Sequence, residues 1–215
     1  MTFNITLPNP TGTNQTETLS TDNNIVLIGA NGSGKSRLGA WIEQNIQNQI
    51  TVHRISAQKA LNIPEYAQLK NLEQAEKDLL LGRSDQHASV ANKIHYRWGS
   101  NPTTFLLNDF DQLLSLLFAK SAERDRDHTV QTKAAQTYIP VPDAPIDTIV
   151  KIWSDIMPHR QIYFGDGKVL VRKENEPEYH GKEMSDGERV TLYLIGQCLC
   201  APDNSVIISD EPEIH

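Results

Sequence analysis

A chain of 215 residues, 38% hydrophobic and 22% charged, has ordinary globular composition and is long enough for one sizeable α/β domain or a domain with an insertion. Lys and Arg number 20 against 27 Asp and Glu, a formal net charge of −7. That balance disfavours a broad nucleic-acid-binding face but leaves room for a local basic patch. No apolar run approaches bilayer length, and Met1–Asn4 lacks the basic and apolar regions of a signal peptide, so a cytoplasmic protein is expected. Cys198 and Cys200, with no second pair or histidine cluster, read as reduced thiols rather than zinc ligands.

Taken in order, Phe3–Leu7 alternates apolar and polar residues and predicts a strand, broken by Pro8–Gly12, with Thr16–Leu19 as the returning strand of a hairpin. Asn24–Ile28 is a short apolar, β-branched run and predicts a buried strand. Gly29-Ala30-Asn31-Gly32-Ser33-Gly34-Lys35-Ser36 follows it and fits G-x-x-x-x-G-K-[ST], the phosphate-binding P-loop. Glycines let the backbone curl so that several N–H groups aim at one anion, Lys35 adds a charge for the β- and γ-phosphates, and Ser36 offers a hydroxyl to Mg²⁺. Arg37 is grouped with these nucleotide-binding residues. Residues 36–49 predict the helix whose N-terminus faces the phosphates.

Residues 50–56 read as a strand. Gln58 lies past its carboxyl end, where ligands bind in open α/β sheets, and reads equally as a site residue or a surface glutamine. A helix is predicted over 63–82, starting at Pro64, and a broad apolar helix over 103–124, with 86–99 showing no clear pattern. The charge run 123–128 reads as a solvated face. A helix over 147–157 and a hairpin of 161–164 with 169–172 around Gly165-Asp166-Gly167 complete the middle of the chain.

Ser185-Asp186-Gly187-Glu188-Arg189 opens a helix running to about Cys200. Ser185 with Glu188 is a capping box, and the same residues can form a second anion site at a helix N-terminus. Val206–Ser209 is an apolar strand ending in Asp210 and Glu211. This is either a strand with an acidic turn or a Walker B segment, with Asp210 for Mg²⁺ and Glu211 as general base.

The three motifs together resemble the ABC-type ATPase class, which includes RecF-like, SMC-like and OLD-family ATPases. Gly29–Ser36 is similar to its Walker A and Ser185–Arg189 to its signature, with Asp186 where transporters usually have Gly. Asp210-Glu211-Pro212-Glu213-Ile214-His215 resembles the D-E-P-E-x-H form of OLD-like bacterial ATPases, many from anti-phage systems, the PARIS-like ATPases among them. The middle of the chain matches only as a variable insertion. The resemblance implies a P-loop NTPase fold of ABC-ATPase type, α/β, with a mixed central sheet, an N-terminal antiparallel hairpin region and a largely helical insertion at 58–179, in a single domain over 1–215. It implies ATP and Mg²⁺ as cofactors, with Ser36, Asp210 and Gln58 near the metal and Lys35 and Glu211 catalytic. It implies a head-to-tail homodimer in which Ser185, Asp186, Gly187 and Glu188 complete the site in trans, and a switch acting on a partner or effector. The class continues past Walker B with a D-loop and a switch histidine, so the chain reads as incomplete at its C-terminus, with an apolar face left uncovered. A RecF- or SMC-like DNA-repair ATPase and a domain that binds ATP without turnover are the alternatives. The signature form and the insertion argue against a transporter subunit.

Overall fold

A computed structural model describes residues 2–9, 16–46, 49–135 and 137–212. Its strands are β1 (Phe3–Pro8), β2 (Thr16–Thr21), β3 (Val52–Ile55), β4 (Arg160–Gly165), β5 (Lys168–Lys173), β6 (Tyr179–His180) and β7 (Val206–Ser209). Its helices are α1 (Lys35–Ile46), α2 (Leu72–Leu81), α3 (Lys93–Trp98), α4 (Phe110–Ala135), α5 (Pro145–Ile156) and α6 (Asp186–Cys200). The strands form three small sheets: antiparallel β1-β2, parallel β3-β7 and antiparallel β4-β5-β6. The single mixed central sheet expected from the sequence is therefore not assembled among the described residues.

Asn24–Ile28, expected to be the buried strand before the P-loop, belongs to no ladder. Val26 is 79% and Ile28 94% exposed. An apolar run becomes a buried strand only when neighbours hydrogen-bond its edges and cover its faces, and no described segment does so.

Two apolar clusters organise the chain. The smaller joins Ile5 of β1, Ile42 and Ile46 of α1 and Val52 of β3, with Leu38, Trp41, Val206 and Ile208 against it. Complete burial of a side chain such as Ile46 contributes about 2–3 kcal/mol. Gly39 lets α1 lie close on the sheet: a Cβ there would stand 3.3 Å from Ile208 Cγ2. The larger cluster draws on α2, α4, α5, α6, β4 and β5, so residues expected to form an inserted lobe share one core with α6.

Three helix boundaries differ from expectation by more than three residues. Residues 63–71 are not helical: Ala67 N–H donates to the Gly167 carbonyl at 2.7 Å, and α2 starts only after Asn71, whose side chain accepts from Gln74 N–H at 2.9 Å. The helix expected from Thr103 begins at Phe110, because residues 105–107 bond instead to the segment after β3, Leu107 N–H to Gln58 O and Ala60 N–H to Leu107 O. That helix then runs through the 123–128 charge run to Ala135 rather than ending at Arg124. The β4–β5 turn has φ of 51° at Asp166 and 73° at Gly167, the paired positive values of a tight hairpin turn.

A buried polar chain joins the two halves of the molecule. Glu43 of α1 pairs with Arg54 of β3 and Lys93 of α3, each at 2.8 Å. Arg97 of α3 pairs with Asp109 at 2.8 Å, and Asp109 also accepts from Tyr193 (2.6 Å) and Gln197 (3.1 Å) of α6. His53 of β3 meets Gln197 at 2.7 Å. Glu43, His53, Arg54, Arg97, Asp109 and Gln197 are all nearly sealed from solvent.

Candidate functional site

The P-loop leads directly into α1. Ser33 N–H donates to Ala30 O at 3.1 Å and Leu38 N–H to Gly34 O at 2.9 Å, so the loop curls and then enters the helix without a break. Gly32 and Gly34 sit at φ of 82° and 95°, where a side chain is strained. At Gly29 the constraint is contact, since a Cβ would lie 2.6 Å from Ser33 Oγ. Lys35 Nζ folds back on the loop, donating to Gly29 O at 2.9 Å and Ala30 O at 3.4 Å. Ala30, Asn31 and Arg37 are exposed along the same turn.

Topology brings the two acidic residues to this end of the molecule. A short connection carries α1 into β3, so α1 runs back along the sheet and its N-terminus lies beside the carboxyl end of β3. Because β7 is parallel to β3, with Ile55 opposite Ser209, Asp210 and Glu211 emerge at that same end. Asp210 N–H donates to Ile55 O at 3.1 Å. Gly39, one turn after Lys35, approaches Ile208, two residues before Asp210. Glu211 has a φ of 43°, an uncommon backbone state for a residue with a Cβ.

Gln58 lies on the same side, past β3. Its backbone is held, N–H by Ser56 Oγ at 3.2 Å and carbonyl by Leu107 N–H at 3.0 Å, while its side chain is exposed. The side chains of Ser36, Gln58, Asp210 and Glu211 engage no hydrogen-bond partner among the described residues. One hydroxyl and one carboxylate left unpaired beside a phosphate loop suit Mg²⁺, which takes few protein oxygens and completes its shell with phosphate and water. Among the described residues no group of three or more His, Cys, Asp or Glu forms a metal cage.

The residues compared above to a signature motif, Ser185–Arg189, lie at the start of α6. Ser185 caps α6, its backbone N–H donating to Glu188 Oε2 at 2.7 Å and its hydroxyl to the same oxygen at 2.6 Å. Asp186 and Gly187 are exposed, and a Cβ at Gly187 would meet nothing within 4 Å. Glu188 is buried, and its other oxygen accepts from Tyr179 Oη and from Arg160 at 3.0 Å. Burial opposes ionisation of Glu188, but the bonds from Ser185 and Tyr179 and the Arg160 charge prevail and hold its carboxyl below the usual range. Burial and the Glu188 carboxylate raise the Tyr179 phenol. A cavity of about 460 Å³ opens here, lined by Arg160, Lys173, Tyr179, Glu183, Ser185 and Glu188. Ser185 lies about 18 Å along the helix from Gln197, the residue that touches β3. No hydrogen bond or ion pair joins residues 29–36 to 185–189 among the described residues.

Glu213, Ile214 and His215, the end of the third motif, lie outside the described residues. Sequence reasoning missed Arg160 and Tyr179. Arg160 opens a strand and Tyr179 follows a turn, and only the packing of β4–β6 against α6 brings them to Glu188. It also missed the buried chain around Asp109, whose single charges carry no motif.

Burial pushes the Cys200 thiol up to about 12, as suits an inert packing residue, and Cys198 is exposed. No helix among the described residues is long and apolar enough to cross a membrane. Comparison of the chain with protein-family models, curated proteins and solved structures finds no match.

Proposed function

We propose that this chain is an ABC-type P-loop ATPase, cytoplasmic, that binds ATP with Mg²⁺ and hydrolyses it in a head-to-tail dimer, acting as a switch for a partner or effector. The observation that carries the reading is the convergence of the curled loop 29–36, at the N-terminus of α1, with Asp210 and Glu211 at the carboxyl end of β7. Backbone N–H groups of residues 32–36 bind phosphate oxygens, helped by the helix end. Lys35 exchanges the carbonyls of Gly29 and Ala30 for the β- and γ-phosphates. Ser36 and Asp210 would hold Mg²⁺, with Gln58 as a further oxygen donor, and the ion would supply positive charge to the phosphate oxygens. Glu211 orients the attacking water and takes its proton on a carboxylate oxygen. Because Ser185 and Gly187 lie on a separate exposed helix end, they meet the γ-phosphate of a nucleotide held by a second copy. Place in anti-phage defence belongs to the same proposal and rests on the D-E-P-E-x-H resemblance alone.

Lys35→Ala is expected to abolish ATP binding measured by calorimetry, with the fold retained by circular dichroism. Unchanged ATP affinity in the folded variant removes the proposal.

A further inference from the structure

The signature end of α6 carries an electrostatic difficulty. A γ-phosphate brought to Ser185 arrives next to the ionised carboxylate of Glu188, which already accepts the Ser185 hydroxyl's hydrogen bond at 2.6 Å. An anion repels an anion, and a hydroxyl committed to one acceptor is not offered to another. Lys173 and Arg189 are committed to other partners. Lys173 pairs with Glu176 at 3.1 Å. Arg189 donates to Lys182 O at 2.9 Å and faces Asp186 at 3.6 Å. Arg160 spends its guanidinium on Glu188 at 3.0 Å, from the oxygen opposite Ser185. Its own backbone is fixed, with the carbonyl accepting Trp153 Nε1–H at 2.9 Å and the N–H donating to Met157 O at 3.0 Å. Trp153 is fully buried in the larger core, so the Arg160 backbone is a rigid mount.

On the reading that Ser185 meets a phosphate held by a second copy, we propose that Arg160 is a positioning residue of the signature site. It balances the charge of Glu188 and weakens the hold of that carboxylate on the Ser185 hydroxyl, so that the hydroxyl can turn and donate to phosphate. Tyr179 shares the work by occupying the same outer oxygen. The segment expected from sequence to be a variable insertion thereby sets the state of the signature serine.

The full chain tests this by steady-state ATP hydrolysis. Arg160→Ala is expected to lower kcat about tenfold, the lower end of what a supporting group one step from the chemistry contributes. ATP affinity, which depends on the Lys35 loop, stays unchanged. Arg160→Lys recovers most of the rate. The double variant Arg160→Ala/Glu188→Gln also recovers, because a neutral amide still accepts the Ser185 N–H but no longer repels phosphate. A double variant no faster than Arg160→Ala would make Arg160 a packing residue only and overturn the inference, as would a single variant equal to wild type. Carbon-13 titration of the Glu188 carboxyl reads the charge balance without turnover: Arg160→Ala should raise its midpoint, and an unmoved midpoint overturns the inference. Absence of ATP hydrolysis in the wild type, with that midpoint raised, counts against the ATPase reading and leaves the Arg160–Glu188 charge pairing standing.

Discussion

His53 shows at the residue scale what burial does to a titratable group. Its ring is sealed between β3 and α6, bonded to Gln197 and near the Arg97 guanidinium. Burial first, then the Arg97 charge, bring its pKa from 6.5 down to about 3. Between those values the unfolded chain holds a proton that the folded chain refuses. The stabilising effect is therefore complete above 6.5 and is lost as pH falls toward 3, at up to about 1.4 kcal/mol per pH unit. Guanidinium melts between about pH 7 and 5 should show stability falling with pH. His53→Asn, which does not titrate there, should flatten the dependence; an unchanged slope would place its origin elsewhere. Above pH 5 the window excludes Glu43, whose carboxyl burial would raise but whose Lys93 and Arg54 partners hold it down.

At the scale of elements, the helix ends were set by caps and competing bonds more than by apolar spacing. The leucines from 69 onward have helical periodicity, yet α2 waits for Asn71, whose carboxamide satisfies the Gln74 N–H. Leu69, within the helix expected over 63–82, is 84% exposed. Asn71→Ala should cost about 1 kcal/mol and lower the melting temperature by about 3 °C for a chain of this size, read by calorimetry. No change would show that Gly82, at φ 82° with its N–H on Asp78 O, and the packing of Leu79 suffice to fix the helix. Where the capping signal was in the sequence, as at Ser185 and Glu188, the start of α6 was legible. Where a segment bonds to a remote one, as Ala67 does to Gly167 and Leu107 to Gln58, local pattern gave the wrong element.

At the scale of the whole molecule, the P-loop half and the larger core meet through the Glu43–Arg54–Lys93 and Arg97–Asp109–Tyr193 groups, while the two halves of the proposed nucleotide site stay apart. On the proposed reading, a second copy closes the site. Glu211→Gln should bind ATP without turning it over and accumulate as a dimer, and light scattering with ATP and Mg²⁺ checks this. A variant that stays monomeric while binding ATP would rule out the sandwich arrangement.

Local sequence is enough to specify the glycine turn at 29–36, the helix after it, the capped start of α6 and the strand that delivers Asp210 and Glu211. Each depends on neighbours within a few residues: glycine at positive φ, a side-chain cap, a β-branched run. Long-range packing sets the parallel pairing of β3 with β7 that puts those carboxylates beside α1, the hold of Arg160 and Tyr179 on Glu188, and the unpaired state of Asn24–Ile28. Those outcomes depend on which distant segment supplies a hydrogen-bond partner or a counter-charge, and nothing in a residue's own neighbourhood specifies that partner.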